Sequence, residues 1–285
     1  MSGPSPDRLI LSDQSNYPSD RFNDNVGFLR ITTTTSFKKY QDDIYRLKNL
    51  TNFTIYYSNL EEELNLNVLL AILKTNSKLQ RVDIEIGYQP IPKGKWSPKS
   101  PISLPDLKYL FLKLNRWENA EYMISHIPIT IPQNKTVEVA ISCPIDDTPL
   151  ATALVSIKNF PSLLTEMTMD FSDEDPGIEW RGKNARLHLS RVSHADMCAA
   201  LVGGCPLLFC NNIESLRLEF GGSPPLLKLS ASLFPALKTM VVNGLNKLNK
   251  DEKIALEKFA TSVHLRYVAK LCRGKTGIWK RDRST

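Results

Sequence analysis

Apolar and polar residues alternate in short runs spaced almost evenly along the chain. Leu47, Leu50, Phe53 and Ile55 read L-x-x-L-x-x-F-x-I, and Leu104, Leu107, Leu110, Leu112 and Leu114 repeat the form. Anchored on the second leucine, further copies are Leu79-x-x-Val82-x-Ile84-x-Ile86, Asn134-x-x-Val137-x-Val139-x-Ile141, Leu164-x-x-Met167-x-Met169-x-Phe171, Ile213-x-x-Leu216-x-Leu218-x-Phe220 and Leu237-x-x-Met240-x-Val242. The anchors are separated by 29, 28, 27, 30, 49 and 24 residues. Alternation with period two predicts strands with one buried face. Between them, apolar residues at helical spacing predict helices over Asn67–Thr75, Glu118–Ile127, Leu150–Phe160, Asp196–Val202 and Glu252–Phe259. A strand and a helix in about 28 residues cannot bury their apolar sides alone, so neighbouring units must stack into a common core. The expected fold class is α/β, an irregular leucine-rich-repeat solenoid. It would be a curved parallel sheet with helices on its convex side.

Proline supports the register. Leu104-Pro105-x-Leu107, Phe160-Pro161-x-Leu163, Cys205-Pro206-x-Leu208 and Phe234-Pro235-x-Leu237 each stand where a helix stops and a strand starts. Proline lacks the N–H a helix needs and pushes its predecessor towards extended backbone. The copy at Phe160 runs one residue long, which predicts a bulge. The 49-residue step holds an acidic turn, Asp173 to Gly177, and a short strand, Ala185 to Ser190, and reads as two irregular repeats. Residues 88–103 carry four prolines and three lysines and read as an elaborated loop. The organisation expected is a loose segment over 1–24, a repeat domain over 25–268 and a basic, unstructured tail over 269–285. Val26 to Ile31 is expected to be a capping strand and Val263 to Tyr267 the last strand.

Composition changes this picture little. The chain has 285 residues, 42% hydrophobic and 23% charged, which is ordinary for a globular protein and excludes wholesale disorder. No stretch approaches the roughly 20 apolar residues of a membrane helix. The opening residues lack a basic region followed by an apolar one, so a secretory signal is not expected and a cytoplasmic or nuclear location is. Five scattered cysteines fit reduced thiols. The net charge of +6 is matched by residues 266–285 alone, so the repeat region is near neutral. That weakens a nucleic-acid reading of the body and leaves one only for the tail.

At these residues the chain resembles the repeat region of fungal F-box/LRR proteins. The segments that carry the likeness are LPDLKYLFLKLN (104–115), HIPITIPQNKTVEVAISC (126–143), FPSLLTEMTMDF (160–171), NIESLRLEF (212–220) and FPALKTMVV (234–242). It covers roughly residues 45–245. The resemblance implies a substrate receptor of a cullin ubiquitin ligase, whose repeats hold the protein to be ubiquitinated and whose F-box docks on a Skp-type adaptor. Residues 1–45 contain no segment opening like L-P-x-E-hydrophobic, so the adaptor is expected as a partner only if an F-box lies upstream.

In such a solenoid the positions between the buried ones line the concave face. They include Tyr56, Asp83, Glu85, Tyr109, Phe111, Lys113, Glu138, Asp170, Arg217 and Glu219. The whole set, which adds Asn52, Thr54, Arg81, Thr136, Ala140, Glu166, Thr168, Ser215, Thr239 and Val241, nets −3. Aromatic anchors amid charge are typical of protein–protein hot spots. The expected ligand is a protein segment of basic character; a merely solvated strand face and a fold-back of the basic tail are the alternatives. Other chemistry finds little support. Gly274-Lys275-Thr276 lacks the glycine five residues earlier that a phosphate loop needs, since Ala269 stands there. His194, Cys198, Cys205 and Cys210 lack zinc-ligand spacing. The acids at 170–179 form no defined pair of carboxylates in a cleft. No catalytic residue, cofactor or metal is expected, and no membrane partner.

Overall fold

A computed structural model describes residues 7–13, 22–33, 38–58, 64–87, 102–127, 137–145, 150, 152–153, 164–202, 210–221, 229–271 and 275–281. The chain is α/β and divides into two units, Met1–Cys143 and Pro144–Thr285.

The first unit is a parallel sheet in chain order. Its strands are β1 (Asp7–Ser12), β2 (Val26–Thr33), β3 (Asn52–Tyr57), β4 (Arg81–Ile86), β5 (Tyr109–Leu114) and β6 (Glu138–Pro144). Helices α1 (Lys38–Ile44), α2 (Leu66–Thr75) and α3 (Trp117–His126) lie between strands. Alternation does what the pattern demands: Phe53, Ile55, Val82, Ile84, Leu110 and Leu112 are wholly buried. Each such side chain contributes about 1.5–3 kcal/mol by leaving water. Helix α2 starts where Asn65 Oδ1 accepts from the N–H of Asn67, and it buries Val68, Leu69, Ile72 and Leu73. Tyr122 on α3 donates to Asn67 Oδ1 on α2, tying successive helices together.

A recurrent turn precedes four of the strands. The N–H groups of Leu79, Leu107 and, in the second unit, Ile213 and Leu237 donate to the carbonyls of Asn76, Leu104, Cys210 and Phe234, three residues back. In every case the strand begins two residues later. Pro105 and Pro235 occupy the second position of this turn, where their fixed φ suits it. Asn76 adds a staple between repeats. Its Oδ1 accepts from the Leu50 N–H at 3.0 Å, while its Nδ2 donates to the carbonyls of Leu47 at 3.0 Å and Ile72 at 2.9 Å.

The second unit is a mixed sheet. Its elements are β7 (Leu164–Phe171), β8 (Gly177–Gly182), β9 (Ala185–Ser190), α4 (His194–Val202), β10 (Ser215–Phe220), β11 (Thr239–Asn243), α5 (Lys250–Ser262), β12 (Leu265–Leu271) and β13 (Thr276–Arg281). The strand order is β9-β8-β7-β10-β11-β13-β12, with only β7, β10 and β11 mutually parallel. Helix α5 opens on a capping box in which Asn249 and Glu252 each bond the other's backbone N–H.

Several expectations are corrected. The 49-residue step does not hold two repeats; β7, β8 and β9 form an antiparallel meander, because the acidic turn at 173–176 reverses the chain directly. Residues 7–12 are not loose but form the edge strand β1, and β2 is an interior strand rather than a cap. Residues 276–281 are not a tail: β13 inserts between β11 and β12. The copy anchored on Asn134 is misframed by two residues, since Leu110 lies opposite Val139, not Val137. A slip of two keeps every side chain on its face, so the inward and outward assignments survive. The register does shift between Leu164 and Glu166, beside the long copy. The helix expected at 150–160 and the loop at 88–103 fall largely outside the described residues.

Candidate recognition surface

In the first unit the outward positions fall into three rows. Arg8, Phe28, Asn52, Arg81, Tyr109 and Glu138 make the first; Ile10, Arg30, Thr54, Asp83, Phe111 and Ala140 the second; Ser12, Thr32, Tyr56, Glu85, Lys113 and Ser142 the third. Thr136 lies outside the described residues, and Ser142 completes its strand's set. Thus Tyr56, Asp83, Glu85, Tyr109, Phe111, Lys113 and Glu138 are brought onto one open face.

Arginines cover two of the tyrosines. The Arg81 guanidinium sits 4.0 Å from the Tyr109 ring centre and that of Arg30 sits 5.2 Å from Tyr56. Arg8 covers Phe28 in the same way at 4.7 Å. Arg8, Phe28 and Arg30 were absent from the sequence-derived set, because β1 and β2 lack the repeat's leucine pattern. Lys113 bonds Glu85 at 2.6 Å across neighbouring strands. Such half-exposed pairs add well under 1 kcal/mol and chiefly fix side-chain positions.

Asp83 is the exception on this face. It lies directly between Thr54 and Phe111 and is only 6% exposed. Its Oδ2 accepts long bonds, 3.4 Å each, from the Tyr56 hydroxyl and from Arg81 Nη2. Its Oδ1 has no hydrogen-bond partner among the described residues. A buried acceptor left unmade costs about 1–3 kcal/mol, and more when charged. The pKa values of Tyr56 and Tyr109 are both raised, first by burial and then by the charge of Asp83, which holds both hydroxyls in the protonated form.

In the second unit the outward residues of β7, β8 and β10 floor an acidic cleft of about 860 Å³. Asp170, Arg217 and Glu219 line it, joined by Glu166, Glu179 and His188. Arg217 opposes Thr168, and Glu219 opposes Asp170. Glu179 accepts from Arg181 Nε and Arg186 Nε, both at 2.5 Å. Burial, the largest single influence, raises its pKa, but these two hydrogen bonds and the charges of the two guanidinium groups together hold it below the ordinary value. Burial keeps the His188 pKa below normal, overcoming the attraction of Glu179. His188 and Glu179 were missed as face residues because the meander breaks the repeat frame.

Among the described residues the remaining chemical motifs do not assemble. Thr276 opens a strand rather than the helix a phosphate loop requires. His194 and Cys198 lie on α4, Cys210 is buried, and Cys205 lies outside the described residues. Among the described residues no group of three His, Cys, Asp or Glu side chains is placed to hold a metal, and no helix is long and apolar enough to cross a membrane. No protein-family model matches the chain, and no curated protein or solved structure shows significant similarity to it.

Proposed function

We propose that the chain is a non-catalytic protein-recognition module, built as an irregular leucine-rich-repeat array, which binds a protein segment of basic character. The observation that carries this reading is the open face of β3–β6. There, Tyr56, Tyr109 and Phe111 share one face with Asp83, Glu85 and Glu138 and with the cations Arg81 and Lys113, with no covering element among the described residues. Half-exposed aromatic rings amid charge are the side chains that anchor protein partners. The acidic cleft of the second unit has the same preference for positive charge. Selection of a random dodecapeptide display library on the purified chain tests the proposal. Lysine- and arginine-rich sequences with an apolar residue are expected to be enriched; absence of enrichment, or enrichment of acidic sequences, contradicts it.

The role of this module in a ubiquitin ligase rests on the resemblance to F-box/LRR receptors. Incubation with a purified Skp-type adaptor tests that extension: co-elution supports a receptor role, and separate elution limits the chain to recognition alone. A nucleic-acid reading has less support, since the basic residues of 276–281 belong to a paired strand rather than a free arm.

A further inference from the structure

Charges on the outward face of the first unit fall into two kinds. On β4 and β5 they are paired within the face, Arg81 with Asp83 and Lys113 with Glu85. Three exposed charges make no ion pair among the described residues: Arg8 on β1, Arg30 on β2 and Glu138 on β6. The two cations stand at one side of this unit's sheet and the acid at the other. No outward residue of β1, β2 or β3 is acidic. Both arginines are held by rings of the face, Arg8 over Phe28 at 4.7 Å and Arg30 over Tyr56 at 5.2 Å. Stacking uses the flat side of a guanidinium and leaves the N–H groups at its edge free to donate. Ile10, half exposed, lies directly opposite Arg30, and Tyr109 lies directly opposite Glu138.

We infer that this face takes a charge-polarised protein segment laid across the strands, with an acidic residue at Arg8 and Arg30 and a basic residue at Glu138. The incoming carboxylate accepts from the pre-positioned guanidinium edges, a charge-assisted contact that either arginine can make bidentate. The stretch between the two ends crosses Tyr109 and Phe111, and the paired charges beneath it favour neither sign. A segment laid the other way sets like charges together at both ends, so the face selects one polarity. Strands about 4.8 Å apart put β1 and β6 about 24 Å from each other, and an extended segment rises about 3.3 Å per residue, so acid and base stand about seven residues apart. This inference rests on the reading of the face as a protein-binding surface.

The probe is the fluorescein-labelled decapeptide EETLYSLSRR, titrated with the full-length protein at low salt and followed by anisotropy. QQTLYSLSRR and EETLYSLSQQ each neutralise one end. Both should bind the native chain at least fivefold more weakly than the polarised peptide. Arg8→Gln with Arg30→Gln should abolish the advantage of the glutamate end and keep that of the arginine end; Glu138→Gln should do the reverse. Because each variant keeps one advantage, a loss of folding cannot produce this pattern. No binding of the polarised peptide, or an end whose advantage survives loss of its own partner residues, overturns the inference. An arginine-end advantage that persists in Glu138→Gln would place that end elsewhere, as in the acidic cleft of the other unit. Equal native binding of EETLYSLSRR and QQTLYSLSRR removes the polarity and leaves a surface for basic segments. The expected pattern, unaltered by Tyr109→Ala with Phe111→Ala, keeps the polarity and removes the aromatic anchors on which the surface reading rests.

Discussion

Asn76 shows how much one residue can hold. Its side chain is fully buried and serves an N–H and two carbonyls from two repeats. Asn76→Ala would leave these groups dry and unpaired, and at about 1–3 kcal/mol each for the worst-placed the loss should be roughly 3 kcal/mol. Urea unfolding measures it, and a loss under 1 kcal/mol would show that water takes over the role. Gly244 is held at φ +71°, where a Cβ would stand 2.2 Å from the Phe220 carbonyl oxygen. Gly244→Ala should therefore cost at least about 2 kcal/mol. His188 makes a pH statement. Its folded pKa is depressed, so as pH falls the unfolded chain, near 6.5, takes the proton first. The stability contribution is present above pH 6.5 and is lost as pH falls towards the folded value. Urea midpoints at pH 7.5, 6.0 and 5.0 should fall less steeply in His188→Gln than in the native chain; parallel falls would contradict the assignment. Glu179 behaves likewise but lower, its contribution present above about pH 4.5 and lost beneath its depressed value.

At the scale of elements, the sequence was most informative where period two persisted. Strands β3, β4, β5, β7, β10 and β11 lie where alternation placed them, and α2, α3, α4 and α5 where apolar spacing did. The outward positions came with them, because alternation fixes both faces at once and even the two-residue error at Asn134 left them intact. Antiparallel additions were harder to read. Strands β8 and β9 hold Ile178, Trp180, Leu187 and Leu189 in alternation, yet nothing local distinguishes a meander from two degenerate repeats. Strand β13 was hidden by its charge: Lys280 is exposed while Trp279 is 4% exposed and meets Tyr267 edge-on at 5.3 Å. Gly277 has no side chain, and the Trp279 ring lies over it. Trp279→Ala should destabilise the second unit by about 3–5 kcal/mol. A neutral effect in thermal unfolding would mean that residues 276–281 are indeed a dispensable tail. Asp83 was legible only as a charged outward position; that it is just 6% exposed was not, because no spacing encodes how deeply an outward side chain is covered.

On the scale of the molecule, the two units add strands by different means. The first adds parallel strands in order; the second keeps three parallel strands and closes each side with antiparallel ones. Both leave a face of alternate residues open: in the second unit it is acidic, with Glu166, Asp170, Glu179 and Glu219, and in the first Asp83, Glu85 and Glu138 are interleaved with Arg8, Arg30, Arg81 and Lys113. The chain's excess of positive charge is carried by residues 266–285, of which Arg266 and Lys280 share the outward side of the second unit with Thr239. Binding of a basic segment should thus weaken with salt but persist through its apolar anchors. The most direct measurement is fluorescence anisotropy of a library-selected basic peptide against the native chain and the Tyr109→Ala, Phe111→Ala double variant, with thermal unfolding run in parallel. At least a tenfold loss of affinity at an unchanged unfolding midpoint is expected if this face recognises protein. Unchanged affinity in a folded variant would contradict it and leave these aromatic residues on a solvated strand surface.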